Sequence, residues 1–138
     1  AETPLIYVLR NQLDLVCTKL GCGLEQCGSC AVLVNGEQVL SCVRAASEFV
    51  GTEITTVEGL AVEGKPTIIQ QAFIEEGAAQ CGYCTAGLVI AATALIKKNP
   101  QPSREEIIEA LSDHLCRCGS QLRVLKAIDR AVQAGGNA

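Results

Sequence analysis

Residues 21–30 read Gly21-Cys22-Gly23-Leu24-Glu25-Gln26-Cys27-Gly28-Ser29-Cys30, and Cys42 follows on the far side of a short polar turn. Three thiols in ten residues, interleaved with glycine, are too many to be an accident of packing. The chain has 138 residues and nine cysteines: Cys17, Cys22, Cys27, Cys30, Cys42, Cys81, Cys84, Cys116 and Cys118. A disulfide framework fits poorly. The count is odd, no secretory apolar segment is visible, and the CxC and CxxC pairs are too close for unstrained local bridges. The sequence opens at Ala1 without a methionine, so the missing signal itself weighs little.

Two metal chemistries then compete. Four-cysteine zinc sites favour C-x2-4-C knuckles, a form that Cys81, Cys84, Cys116 and Cys118 could take. The first group decides otherwise. C-x4-C-x2-C with a fourth, more distant cysteine is the spacing of a plant-type [2Fe–2S] site. The wider x4 step lets a loop wrap a larger anionic object. Gly21, Gly23 and Gly28 let the backbone approach and turn N–H groups onto sulfur. The second group supplies four more thiolates, enough for one more cluster or one zinc. Both of its pairs precede expected helices, whose N-termini favour negative charge. Cys17 is left over and reads as a small buried hydrophobe or a loop thiol. Its five-residue step to Cys22 makes a ligand swap conceivable only in a damaged site.

Composition narrows the function classes. Apolar residues make up 49% of the chain and charged residues 19%; eleven Lys and Arg against fifteen Asp and Glu give a net charge of −4. That balance supports neither nucleic-acid binding nor basic anchoring at a membrane. No apolar run approaches the ~18 residues of a bilayer span. No Ser/His/Asp set, GxGxxG or P-loop is present, so substrate chemistry is not expected on this chain alone. His114, the only histidine, is expected at a helix end or on the surface. Glu25 reads as a solvated loop residue, with tuning of a nearby cluster as its functional alternative. Arg117, between two ligands, either neutralises cluster charge or is simply solvated.

The coarse fold is α+β. Residues 1–13 are expected as a helix with Thr3 as N-cap, Pro4 at the first position and Leu5, Val8, Leu9 and Leu13 buried. Residues 31–34 and 37–43 form a hairpin around Asn35-Gly36, a type I′ turn, with Cys42 on its second strand. Residues 52–57 make another strand. Four helices follow: 67–76; 85–98, stopped by Asn99-Pro100; a third opened by the capping box Ser103-x-x-Glu106; and 121–134, closed by Gly135-Gly136, with Leu122, Leu125, Ile128 and Val132 inward. The boundary is expected near residues 58–65, giving domains 1–60 and 61–138. The second half reads as two helix–cysteine-loop–helix units.

The ordered set GCGLEQCGSC with Cys42, then QCGYCTAG, then LCRCG resembles the iron–sulfur subunit of molybdenum hydroxylases, the xanthine dehydrogenase family, over nearly all of the chain. The resemblance implies a plant-ferredoxin-like (β-grasp) N-terminal domain and an all-α four-helix C-terminal domain, each with one [2Fe–2S] cluster. It assigns Cys22, Cys27, Cys30 and Cys42 to the first cluster. Cys81, Cys84, Cys116 and Cys118 go to the second, which lies beside a molybdopterin cofactor on a large partner subunit. Gln80, otherwise a loop-end cap, and Cys118 match the residues that touch the pterin. Electrons are expected to leave near the first cluster, toward a cytochrome c or an FAD subunit.

Three departures stand out. The hairpin that precedes the opening helix in the family is not found in this sequence, which either begins after it or has a reduced sheet; in the second case an open sheet edge would need a partner. The usual CTPG is CTAG, with Ala86 in place of proline. The usual CRCTGY is CRCGSQ, which resembles the isoquinoline and nicotinate dehydrogenase branch. A cytoplasmic location is expected, with co-export on a partner's signal as the route to a periplasmic one. The rival classes are a zinc-stabilised interaction module and a free ferredoxin; against the latter, the high apolar share suggests surface covered in a complex.

Overall fold

The computed structural model describes residues 2–135. Its elements are α1 (Leu5–Tyr7, continuing as a wider π-type turn over Val8–Gln12), β1 (Ala31–Val34), β2 (Glu37–Leu40), β3 (Ile54–Thr55), α2 (Ile68–Glu75), α3 (Thr85–Lys98), α4 (Arg104–Ala110) and α5 (Gln121–Gln133). The sheet order is β2-β1-β3, with both pairings antiparallel. Ala31 faces Leu40 and Val34 faces Glu37, so the two-residue turn is Asn35-Gly36. Both turn residues have positive φ, +51° and +84°, the requirement of a type I′ turn.

β1 is apolar throughout because both of its faces are covered. Ala31 and Leu33 join the main core with α2, α3 and α5. Val32 packs on the other face with Leu5, Leu9 and Phe49. α3 lies at the centre, with Leu88–Ala92 and Ile96 buried. The main core therefore runs from β1 into the helices across residues 58–65. Beyond β3, an open groove lined by Leu5, Leu9, Leu15, Phe49 and Ile54 follows the sheet's outer edge.

Two of the five helix starts follow side-chain caps. Thr67 accepts from the Gln70 N–H, and Gln70 accepts in turn from the Thr67 N–H. Ser103 and Glu106 do the same for α4, and α3 spans the residues expected. Ala86, in the first turn of α3, occupies a place where proline would also be tolerated, because the N–H groups there have no helical acceptor.

Four expectations need correction. Thr3 does not cap α1. Pro4 holds that place without a side-chain bond, and the Leu5 and Ile6 N–H groups donate instead to the carbonyls of Arg44 and Ser41. Leu13 is exposed, while Ile6 is fully buried. Cys42 lies beyond β2, which ends at Leu40. The stripe of α5 is Val124, Ala127, Ile128 and Ala131, with Leu125 and Val132 partly buried and Leu122 77% exposed. Small alanines let α5 lie close against its neighbours, and that rotation turns Leu122 outward. Of the closing glycines, Gly136 lies outside the described residues.

Candidate metal centres

The first centre is built by a loop between α1 and β1. Its base is closed by two bonds: the Lys19 N–H donates to the Ser29 carbonyl at 3.0 Å, and the Ser29 hydroxyl to the Lys19 carbonyl at 3.2 Å. Within the loop, the N–H groups of Leu24, Gln26 and Cys27 converge on Cys22 Sγ at 3.3, 3.2 and 3.3 Å. The Glu25 N–H reaches Cys42 Sγ at 3.4 Å, and the Cys22 N–H reaches Cys27 Sγ at 3.3 Å. Such convergence is a cradle for negatively charged sulfur. The donors are not the glycines themselves. Gly23 instead supplies a positive φ, as does Glu25 at +56°, a costlier position for a side chain. Glu25 thus contributes its backbone N–H, while its side chain is exposed. At Gly21 a β-carbon would stand 2.6 Å from Cys27 Sγ.

Cys30 and Cys42 form the buried half of this centre, packed with Ile6. The Ser41 hydroxyl donates to the Cys30 carbonyl at 2.7 Å, and the bonds from α1 to residues 41 and 44 hold the segment carrying Cys42. Burial and the adjacent Cys42 push the Cys30 thiol up to about 11. Burial also raises the Cys27 thiol, but the Ser29 hydroxyl and the Cys22 amide outweigh it and bring it down to about 7.

The second centre joins the loop before α3 to the loop before α5. Cys84 is the N-cap of α3. The Cys81 thiol meets that of Cys118, and Cys84 meets Cys116. The Ser120 hydroxyl, 3.0 Å from Cys116 Sγ, brings that thiol down to about 6. Burial and the neighbouring Cys116 and Cys81 push Cys84 up to about 11. The CRCGSQ departure gains a physical account. Gly119 turns with φ +85°, Ser120 bonds the sulfur, and Gln121 Nε2 donates to the Cys116 carbonyl at 3.1 Å.

All eight sulfurs are thus gathered in twos: Cys22 with Cys27, Cys30 with Cys42, Cys81 with Cys118, Cys84 with Cys116. A binuclear cluster asks for two ligand pairs, and its irons would offset the charge of the buried Cys30 thiolate and the half-buried Cys84 thiolate. The residues present therefore fit two such groups. Cys17 stands apart: its N–H donates to Glu58 Oε2 at 2.9 Å, and burial followed by Glu58 raises its thiol. Gln80 and Arg117 are exposed.

The two loops also touch each other, which the sequence did not announce. The Tyr83 hydroxyl donates to the Leu20 carbonyl. The Leu115 N–H donates to the Cys27 carbonyl. His114 is not a surface histidine: it is half-buried, burial lowers its basicity, and its Nε2 lies 3.2 Å from Gln38 Oε1.

Comparison with known proteins identifies the family of the chain. Residues 1–61 match the family described as "2Fe-2S iron-sulfur cluster binding domain" and residues 56–129 the "[2Fe-2S] binding domain" family. The chain belongs to the small iron–sulfur subunits of the molybdenum hydroxylases, electron-transfer components of oxidoreductases. It is 43% identical to the small FeS subunit of nicotinate dehydrogenase from Eubacterium barkeri, covering 96% of this chain and 85% of that one. It is 44% identical to the alpha chain of isoquinoline 1-oxidoreductase from Brevundimonas diminuta, covering 96% and 86%. Its structure matches a chain of quinoline 2-oxidoreductase from Pseudomonas putida 86 with TM-score 0.85 and 37% identity, covering 97% of this chain and 86% of that one.

Proposed function

We propose that Cys22, Cys27, Cys30 and Cys42 hold one [2Fe–2S] cluster and that Cys81, Cys84, Cys116 and Cys118 hold a second. When bound, each cluster would supply one-electron storage, and a chain holding both would link a molybdopterin centre on a large partner subunit to a cytochrome c or FAD acceptor. The observation that carries this reading is the arrangement of eight sulfurs in four pairs, with three amide N–H groups aimed at Cys22 Sγ.

The chain's own residues do the rest. Residues 1–60 serve as a plant-ferredoxin-like, β-grasp unit and residues 61–138 as a four-helix unit. Backbone amides and the hydroxyls of Ser29 and Ser120 stabilise negative sulfur and so set the potential. Ile6 and Leu20 keep water from Cys30 and Cys42. Gln80 and Cys118 lie at the lip of the second centre and contact the pterin of the partner. Exposed Tyr83, Leu115 and Leu122 flank that lip, an apolar rim suited to burial against a large subunit. The GSQ sequence after Cys118 and the similarity to nicotinate and isoquinoline enzymes favour that branch. No helix among the described residues is long and apolar enough to cross a membrane. Cluster assembly puts maturation in the cytoplasm, and a periplasmic complex would travel on its partner's signal.

Electron paramagnetic resonance of the reduced, assembled complex tests this. Two distinct one-electron signals are expected, with Cys22→Ser abolishing one and Cys116→Ser the other. A single signal lost in both variants would contradict the two-cluster reading.

A further inference from the structure

The two cysteine loops come from opposite ends of the chain, and His114 stands where they meet. A β-carbon at Gly28, whose φ is +78°, would overlap the His114 imidazole and lie 2.7 Å from the Asp113 carbonyl. Gly28 is pressed from another direction too: a β-carbon at Gly87, in α3, would overlap the Gly28 carbonyl. The loop of the first centre is thus packed against both α3 and an imidazole that sits two residues before Cys116. Neither contact leaves room for a larger residue.

The far side of the imidazole is fixed as well. Nε2 lies 3.2 Å from Gln38 Oε1. Gln38 belongs to β2 and pairs with Leu33 of β1, the strand that begins immediately after Cys30. A half-buried imidazole without a partner would leave a polar nitrogen poorly solvated. An aliphatic side chain could fill the space but would not select one orientation. The bond to Gln38 does select one, and it ties the Cys116 loop to a strand that is rigid by pairing.

We propose that His114 and Gln38 form a brace that sets the spacing between the two metal centres and hence the coupling between them. His114 is a positioning residue, not a ligand. The proposal rests on the two-cluster reading given above.

The test uses the assembled enzyme, fully reduced, with iron content and the magnetic splitting between the two reduced clusters as readouts. Gln38→Leu and His114→Leu are expected to keep wild-type iron and to narrow the splitting. The double variant should narrow it no further than either single one, because the pair acts as a unit. Gln38→Glu should preserve the splitting, since its carboxylate still accepts from Nε2–H. An unchanged splitting in both leucine variants, with iron retained, overturns the brace and leaves the two-cluster reading standing. Loss of iron from Gln38→Leu overturns a positioning role in favour of a purely structural one. Wild-type enzyme without iron would bring down the two-cluster reading and the brace with it.

Discussion

The Leu115 N–H donates to the Cys27 carbonyl at 3.0 Å, so the residue before Cys116 in one cysteine loop is bonded to Cys27 in the other. Leu115→Pro removes this donor while its own side chain, 63% exposed, perturbs no core. The Cys27 carbonyl loses a bond whose net contribution is about 1 kcal/mol. We expect both centres to form and the paramagnetic signals of both to shift, since the bond restrains both loops. A shift confined to one signal would contradict that linkage.

Gly21 bears on the first centre alone. Gly21→Ala would put a carbon 2.6 Å from Cys27 Sγ and 2.8 Å from Ser29 Oγ, neither of which can retreat without moving the loop. Iron should fall toward half of the wild-type content, with the signal of the second centre retained. Full iron content in this variant would refute the tight cradle.

Ser120 tests tuning at the second centre. Ser120→Ala deletes the hydroxyl 3.0 Å from Cys116 Sγ. A hydrogen bond to sulfur favours the more negative, reduced state, so its loss should lower the potential of the second cluster, on the order of tens of millivolts. Redox titration should find the first cluster unmoved.

Glu58 supplies a pH dependence. Burial raises its carboxyl, but the Cys17 amide and the Thr56 hydroxyl outweigh that and hold it below the ordinary 4.5. A carboxyl depressed in the folded state stabilises above the unfolded value and loses that contribution as pH falls through the folded value. Glu58→Gln should therefore cost about 0.5 kcal/mol near pH 7, small because the group is exposed. The difference from wild type should vanish in acid below both values. Thermal unfolding at the two pH values checks this.

The shared core is open to test through Ile128, fully buried on α5. Ile128→Ala should cost about 2–5 kcal/mol. Because that core includes Ala31 and Leu33 of β1, β1 should lose amide-exchange protection together with the helices.

What could be read from the sequence was local. The C-x4-C-x2-C spacing, the Asn35-Gly36 turn and the Ser103–Glu106 box each act within a few residues, and each holds its expected place. The start of α1 was illegible because its N–H groups are satisfied by carbonyls of residues 41 and 44, far along the chain. The face of α5 was misread because Ala127 and Ala131 permit a close approach that no count of large apolar residues detects. Ser29 and Ser120 carried a weak signal, each standing within a few residues of a clustered cysteine. The pairing of His114 with Gln38, and of Tyr83 with Leu20, spans 76 and 63 residues and left no trace in local pattern.

Metal content bears most directly on the two-cluster reading. Iron, acid-labile sulfide and molybdenum should be measured in the complex purified with its partner subunits. About four irons and four sulfides per copy of this chain, with molybdenum in the same fraction, is the expected result. Zinc in place of iron would contradict it.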